Sequence, residues 1–228
     1  MLDREARLIS EGGRLVIELS STLPGDQRRF SVAHELGHLI ITARSGSGSA
    51  SPGVHMAAST ERLCDRLARE LLAPEPAIRG YLKARRAAMV PVNQVSCSMI
   101  VQAASDFDIP VEAMAARIVH DLAIAPRTMA SLWRRNSECD NPVFPRVLHL
   151  ASIWHPRPDL ALATRDSLKP VASVASEAFR GRSVLRAERD LLIAGAVQRF
   201  QVEATRFHWF PAFAGVPAER AVLALLTR

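Results

Sequence analysis

The chain has 228 residues, 48% of them hydrophobic and 23% charged, and a formal net charge of +6. That length suits one or two domains with a proper core, and the apolar fraction is ordinary for a globular protein. The composition excludes a membrane span. The longest uncharged stretch, 87–105, contains Pro91, Asn93, Gln94, Gln102 and several serines. Asp3, Arg4 and Glu5 with no apolar run exclude a signal peptide, so a cytoplasmic protein is expected. Cys64, Cys97 and Cys139 are odd in number and lack disulfide or metal spacing, which fits small buried residues. Residues 1–125 carry 14 basic and 14 acidic side chains, so all the excess lies in 126–228, with 15 basic and 9 acidic. That basic part suits either an acidic partner such as nucleic acid or a solvated Arg-rich face.

In chain order, Ala6–Ser10 and Arg14–Leu19 read as two strands joined by a turn at Gly12-Gly13. Phe30-Ser-Val-Ala-His-Glu-Leu-Gly-His38 follows, an HExxH pattern on an apolar background at helical spacing: Val32, Ala33, Leu36, Leu39, Ile40 and Ile41. This predicts a buried helix, with Ser31 as its N-cap. His34 and His38 are four apart and share a helix face, the spacing that lets two imidazoles meet one tetrahedral Zn²⁺. Glu35 stands beside the remaining coordination position, where a carboxylate can take a proton from water. Gly37 costs a helix about 1 kcal/mol relative to Ala, which predicts close approach of another backbone beneath the metal. The alternative is a metal-free helix with two hydrogen-bonded core histidines, expensive to satisfy alongside Glu35.

Residues 44–60 form a Gly/Ser-rich loop, either a gate for the cleft or a plain insertion, with His55 able to approach the metal or a substrate. The next helix, 60–74, has a Leu63, Leu67 and Leu71 stripe and stops at Pro74 and Pro76. On it Glu61 and Asp65 are four apart, so Glu61 can supply the third metal ligand while Asp65 accepts a hydrogen bond from a ligating histidine. Otherwise both are solvated charges pairing with Arg62 or Arg69. Glu70 is a competing ligand, off that face and expected in solvent. Tyr81, the single tyrosine, is an oxyanion-donor candidate on a short helix over 75–86.

Helices over Ser98–Phe107 and Val111–Leu122, with a turn at Asp108-Ile109-Pro110, form a helix-turn-helix-like unit. Its second helix sets Glu112 and Asp121 against Arg117 alone, a poor complement to phosphate, so packing is favoured over DNA reading. Ala123–Asn141 reads as a linker with a short helix around Trp133. Strands are expected at Val147–Trp154, Leu160–Thr164, Asp190–Gly195, Val197–Phe207 and Arg220–Leu226, and a helix at Val171–Phe179.

Two linked motifs, Arg29-Phe30-Ser31-Val32-Ala33-His34-Glu35-Leu36-Gly37-His38 and Glu61-Arg62-Leu63-Cys64-Asp65 through Leu71-Leu72-Ala73-Pro74, resemble those of the ImmA/IrrE-type metallopeptidases. The likeness covers roughly the first 125 residues. The chain departs from that pattern at Cys64 for Ala, Leu67 for Phe and Ala73 for Met. The resemblance implies zinc bound by His34, His38 and Glu61, Glu35 as general base and Asp65 behind a ligand histidine. It also implies cleavage of a helix-turn-helix transcriptional repressor in stress or mobile-element regulation. Members usually carry several tens of residues before the hairpin, so the expectation is a truncated start or a reduced, more open catalytic domain.

The expected fold is therefore α+β. A mostly helical zincin-like domain fills 1–92, helix-turn-helix-like helices 93–125, a linker 126–140, and a small C-terminal α/β domain 141–228, weakly similar to GAF sensor domains. The leading function is a zinc metallo-endopeptidase with a protein substrate. The alternative is a non-catalytic peptidase-like regulator that binds a repressor or DNA.

Overall fold

Gly12 and Gly13 both have positive φ, 58° and 77°, the backbone of a two-residue hairpin turn. It joins β1 (Ala6–Glu11) to β2 (Arg14–Leu19) in the expected antiparallel register, Glu11 opposite Arg14 and Ala6 opposite Leu19. This computed structural model describes residues 6–44, 58–87, 95–135, 148–156, 166–181, 184–193, 195–210 and 219–228. The expected 45–57 part of the Gly/Ser-rich loop with His55, the Leu160–Thr164 strand, and Cys139 lie outside them.

Helix α1 (Gly25–Arg44) starts earlier than Ser31. The Pro24 carbonyl accepts its first helical bond, from the Arg28 N–H at 2.8 Å, and Ser31 is buried inside the helix. The apolar stripe is also less covered than expected, with Leu36 and Ile40 40% and 39% exposed. Burial concentrates on Ala33 and Gly37, against α2 (Ala58–Leu72), and on Gln27 and Ser31. Arg29 and Phe30 dock the start of α1: Arg29 donates to the Asp108 carboxylate at 2.9 Å, and Phe30 packs on the main core.

Ala73-Pro74 breaks the chain into α3 (Glu75–Ala87), which buries Ile78 and Leu82. Helix α4 (Cys97–Phe107) is capped by Ser96, whose hydroxyl accepts from the Met99 N–H at 3.2 Å. It ends at Asp108, in the left-handed region at φ 51°, a conformation a short polar side chain tolerates. The expected second helix divides into α5 (Val111–Ala115) and a π-helix (Ala116–Asp121). All of 113–119 is buried, so this helix packs and has no free face for a DNA groove.

The segment expected as a linker with a helix at Trp133 is instead strand β3 (Thr128–Arg135). It lies between β4 (Leu148–Trp154) and β7 (Glu219–Thr227) in a five-stranded antiparallel sheet completed by β5 (Leu185–Ile193) and β6 (Ala196–Phe210), in the order β4-β3-β7-β6-β5. The reason is that both faces are covered. Ala130 and Leu132 join one core while Met129 and Trp133 join the other, so polar alternation is missing. β5 (Leu185–Ile193) begins before the expected Asp190, and β6 (Ala196–Phe210) matches expectation closely. Helix α6 (Lys169–Arg180) packs Val171, Val174, Ala175 and Ala178 on one face of the sheet. The other face, through Leu223, Leu225 and Phe207, shares a continuous core with α3, α4, α5 and the π-helix. The α+β class stands: a helical, hairpin-bearing part and an antiparallel sheet with helices on both faces. Among the described residues no helix is long and apolar enough to cross a membrane.

A buried ion network ties α2 to the π-helix. Arg117, 2% exposed, pairs with Glu70 and donates to the Ala73 carbonyl at 3.0 Å. Arg69 grips the Asp121 carboxylate with two bonds, 2.7 and 3.1 Å. Glu70 lies in solvent as expected, 51% exposed, and from there also pairs with Arg117. Because the Asp121 side chain is 1% exposed, Asp121→Asn leaves buried guanidinium charge uncompensated. It should destabilise the chain by about 3 kcal/mol, read as a lower urea midpoint at unchanged slope.

Candidate metal centre

Gly37 is where α1 and α2 touch. A Cβ built there would meet the Cys64 Cα at 3.1 Å and its Cβ and carbonyl oxygen at 3.3 Å. A Cβ here would be in tighter contact than packed side chains usually allow, so glycine eases the close approach of the helices, which accounts for its otherwise unfavourable place in a helix. The approach brings one face of α1, with His34 and His38, against the Glu61 and Asp65 face of α2.

Three atoms converge there. His34 Nε2 lies 3.1 Å from His38 Nε2 and 3.1 Å from Glu61 Oε2, and His38 Nε2 lies 3.6 Å from Glu61 Oε2. Ligands on a tetrahedral Zn²⁺ at the usual bond lengths stand about 3.3 Å apart, so this triangle already has the size of one face of such a site. The donor chemistry agrees. His34 Nδ1 lies 2.8 Å from Asp65 Oδ1, so the ring donates its Nδ1–H to that carboxylate and turns Nε2 toward Glu61. In the neutral ring two acceptors then stand 3.1 Å apart, which favours a proton or a metal cation between them. Burial lowers the His34 pKa, but the Asp65 and Glu61 carboxylates outweigh it and hold it above the ordinary histidine value. The pocket favours a cation, and a divalent metal fits it.

All four residues expected at the metal therefore meet: His34, His38, Glu61 and Asp65. The histidine side chains are 19% and 16% exposed and the Glu61 and Asp65 side chains 46% and 43%, so the centre opens to solvent on its α2 side. Glu35 is partly buried on α1, near enough for its charge to act on Cys64. Tyr81 does not join the site; its hydroxyl donates to Asp106 of α4 at 2.7 Å, and its ring packs edge-on against Phe107.

Sequence reasoning missed one neighbour. Cys64, fully buried, places its Sγ 3.3 Å from His38 Nδ1. His34, His38 and Cys64 thus form a second potential ligand set, with donor atoms within 4.8 Å of one another. The Nε2, Nε2 and Oε2 atoms stand 3.1–3.6 Å apart, while Cys64 Sγ lies on the other nitrogen of His38. Burial, then the Glu61, Asp65 and Glu35 charges, push the Cys64 thiol up to about 11. No local signal marks it, because its place opposite Gly37 arises only when the two helices pack.

The chain is similar to known proteins. A family model described as the IrrE N-terminal-like domain, a peptidase family, matches residues 3–119. No curated protein matches the chain. Among solved structures, a Mycobacterium tuberculosis transcriptional regulator is similar at 10% identity, with a TM-score of 0.59. The similarity covers 100% of this chain and 62% of that one, so the chain spans less than two thirds of its structural neighbour's length. The match over residues 3–119, about half of the chain and including both motifs that build the site, means that this protein belongs to the IrrE N-terminal-like peptidase family.

Proposed function

We propose that the protein is a zinc-dependent metallo-endopeptidase acting in the cytoplasm on a protein substrate, a helix-turn-helix repressor in the reading that the ImmA/IrrE resemblance supports. The observation that carries it is the triangle of His34 Nε2, His38 Nε2 and Glu61 Oε2, with Glu35 next to the first ligand. When bound, zinc would polarise the scissile carbonyl and lower the pKa of the attacking water toward about 7. The chain's own residues do the rest. Glu35 takes the proton from that water and delivers it to the departing amine. Asp65 accepts the His34 Nδ1–H, which fixes the tautomer and keeps Nε2 free for the metal. In this reading 1–92 is the catalytic unit, the 93–125 helices pack on it, and the C-terminal sheet is a regulatory unit.

Glu35→Gln should lower peptidase activity about 10²–10⁴-fold while zinc stays near one per chain by elemental analysis. A Glu35→Gln protein as active as the parent would sink the mechanism. Glu61→Gln removes the charged ligand and should release zinc to a weak chelator that leaves the parent loaded. Equal retention would move the third ligand elsewhere.

A second reading has one observation in its favour: the solved structure that covers the whole chain is named a transcriptional regulator. Here the same metal centre holds a regulator's shape without cutting. Chelator-sensitive cleavage of a repressor encoded nearby excludes it. Salt-dependent DNA binding by the full chain, unchanged in Glu35→Gln, supports it.

A further inference from the structure

Cys64 replaces the alanine of the ImmA/IrrE pattern, and its Sγ is 3.3 Å from the outer nitrogen of His38. That distance is within hydrogen-bonding range for sulfur, and it mirrors the Asp65 contact on the other ligand, His34. We infer that Cys64 is a positioning residue for the metal centre: its sulfur accepts the Nδ1–H of His38 and so presents His38 Nε2 to the metal. The inference rests on the metal-site reading above and adds a residue to it.

The argument is one of tautomers. A histidine that binds through Nε2 must carry its proton on Nδ1. If the thiol instead donated to Nδ1, the ring's proton would sit on Nε2 and point into the triangle shared with His34 and Glu61, blocking the cation. Sulfur serves in either direction because it is both a weak donor and a weak acceptor. An alanine has neither capacity. Cys64 is 0% exposed and packed under Gly37, so its sulfur is held in place against the ring. The contact is also independent of sulfur ligation, because it lies on the nitrogen that does not face His34 and Glu61.

The test is cobalt and zinc binding to the full chain, comparing the parent with Cys64→Ala and Cys64→Ser. The parent should bind one Co²⁺ without a sulfur-to-cobalt charge-transfer band. Cys64→Ala should fold, since alanine is the pattern residue, yet bind zinc about 10–100-fold more weakly. Cys64→Ser, which keeps an acceptor, should recover most of that loss. Nitrogen-15 spectra of the zinc-loaded parent should show His38 protonated at Nδ1, with that proton exchanging faster with solvent in Cys64→Ala. Two results overturn the inference while leaving the metal site standing: unchanged affinity in Cys64→Ala, or a charge-transfer band in the parent that Cys64→Ala abolishes, which would make sulfur a ligand. A parent chain that takes up neither metal defeats the metal-site reading itself, and this inference falls with it.

Discussion

The contact on which the site depends is backbone against backbone, where α1 passes over α2 at Gly37 and Cys64. Neither helix holds a complete ligand set. α1 brings the His34 and His38 imidazoles and the Glu35 carboxylate, and α2 brings the Glu61 and Asp65 carboxylates. Their usefulness is a matter of tenths of an ångström, because the three inward atoms must stand about 3.3 Å apart for one tetrahedral ion. A side chain at position 37 would press on the Cys64 backbone and require it to give, so the local helix penalty of glycine is offset by the close approach it permits.

That crossing is held from below. α2 carries the ligands at its start and the Arg69, Glu70 and Ala73 anchors at its end. Those anchors reach Arg117 and Asp121 of the π-helix, which packs on the sheet through Ile118 and Val119. Arg117 and Asp121, four residues apart on the π-helix, make a mutual contact at 3.8 Å while both engage α2. On the opposite side Arg29 fixes the start of α1 to Asp108 at the end of α4. The metal centre therefore sits on two helices that are tied separately to the same helical layer, and that layer rests on the sheet.

Legibility in the sequence followed the range of the interaction. His34 and His38 announce themselves through i,i+4 spacing within one helix, as do Glu61 and Asp65, and the hairpin through consecutive glycines. Each is a local rule. Strand β3 was unreadable because its two faces enter different cores, leaving no polar alternation around Trp133. The π-helix has no composition of its own, and the start of α1 at Gly25 hid behind a serine that resembles a cap. Cys64 shows the limit most plainly. Its type and spacing suggest an ordinary core residue, and only the approach of a second helix places its sulfur on a histidine ligand.

The basic excess of the C-terminal part gains meaning from the sheet. On β5 and β6 the described charges are arranged across the strands, Arg186 with Glu203 and Arg199 with Asp190, both at 3.0 Å. Glu203 also reaches the N-terminus of α4, accepting from the Cys97 N–H at 2.7 Å, while Arg206 donates to the Phe179 carbonyl. Phosphate binding calls for unpaired cations along a stripe. Among the described residues, Arg186 and Arg199 stand against the sheet's own carboxylates, and Arg206 against the end of α6. Glu203 and Arg206 thus join the sheet to α4 on one face and to α6 on the other.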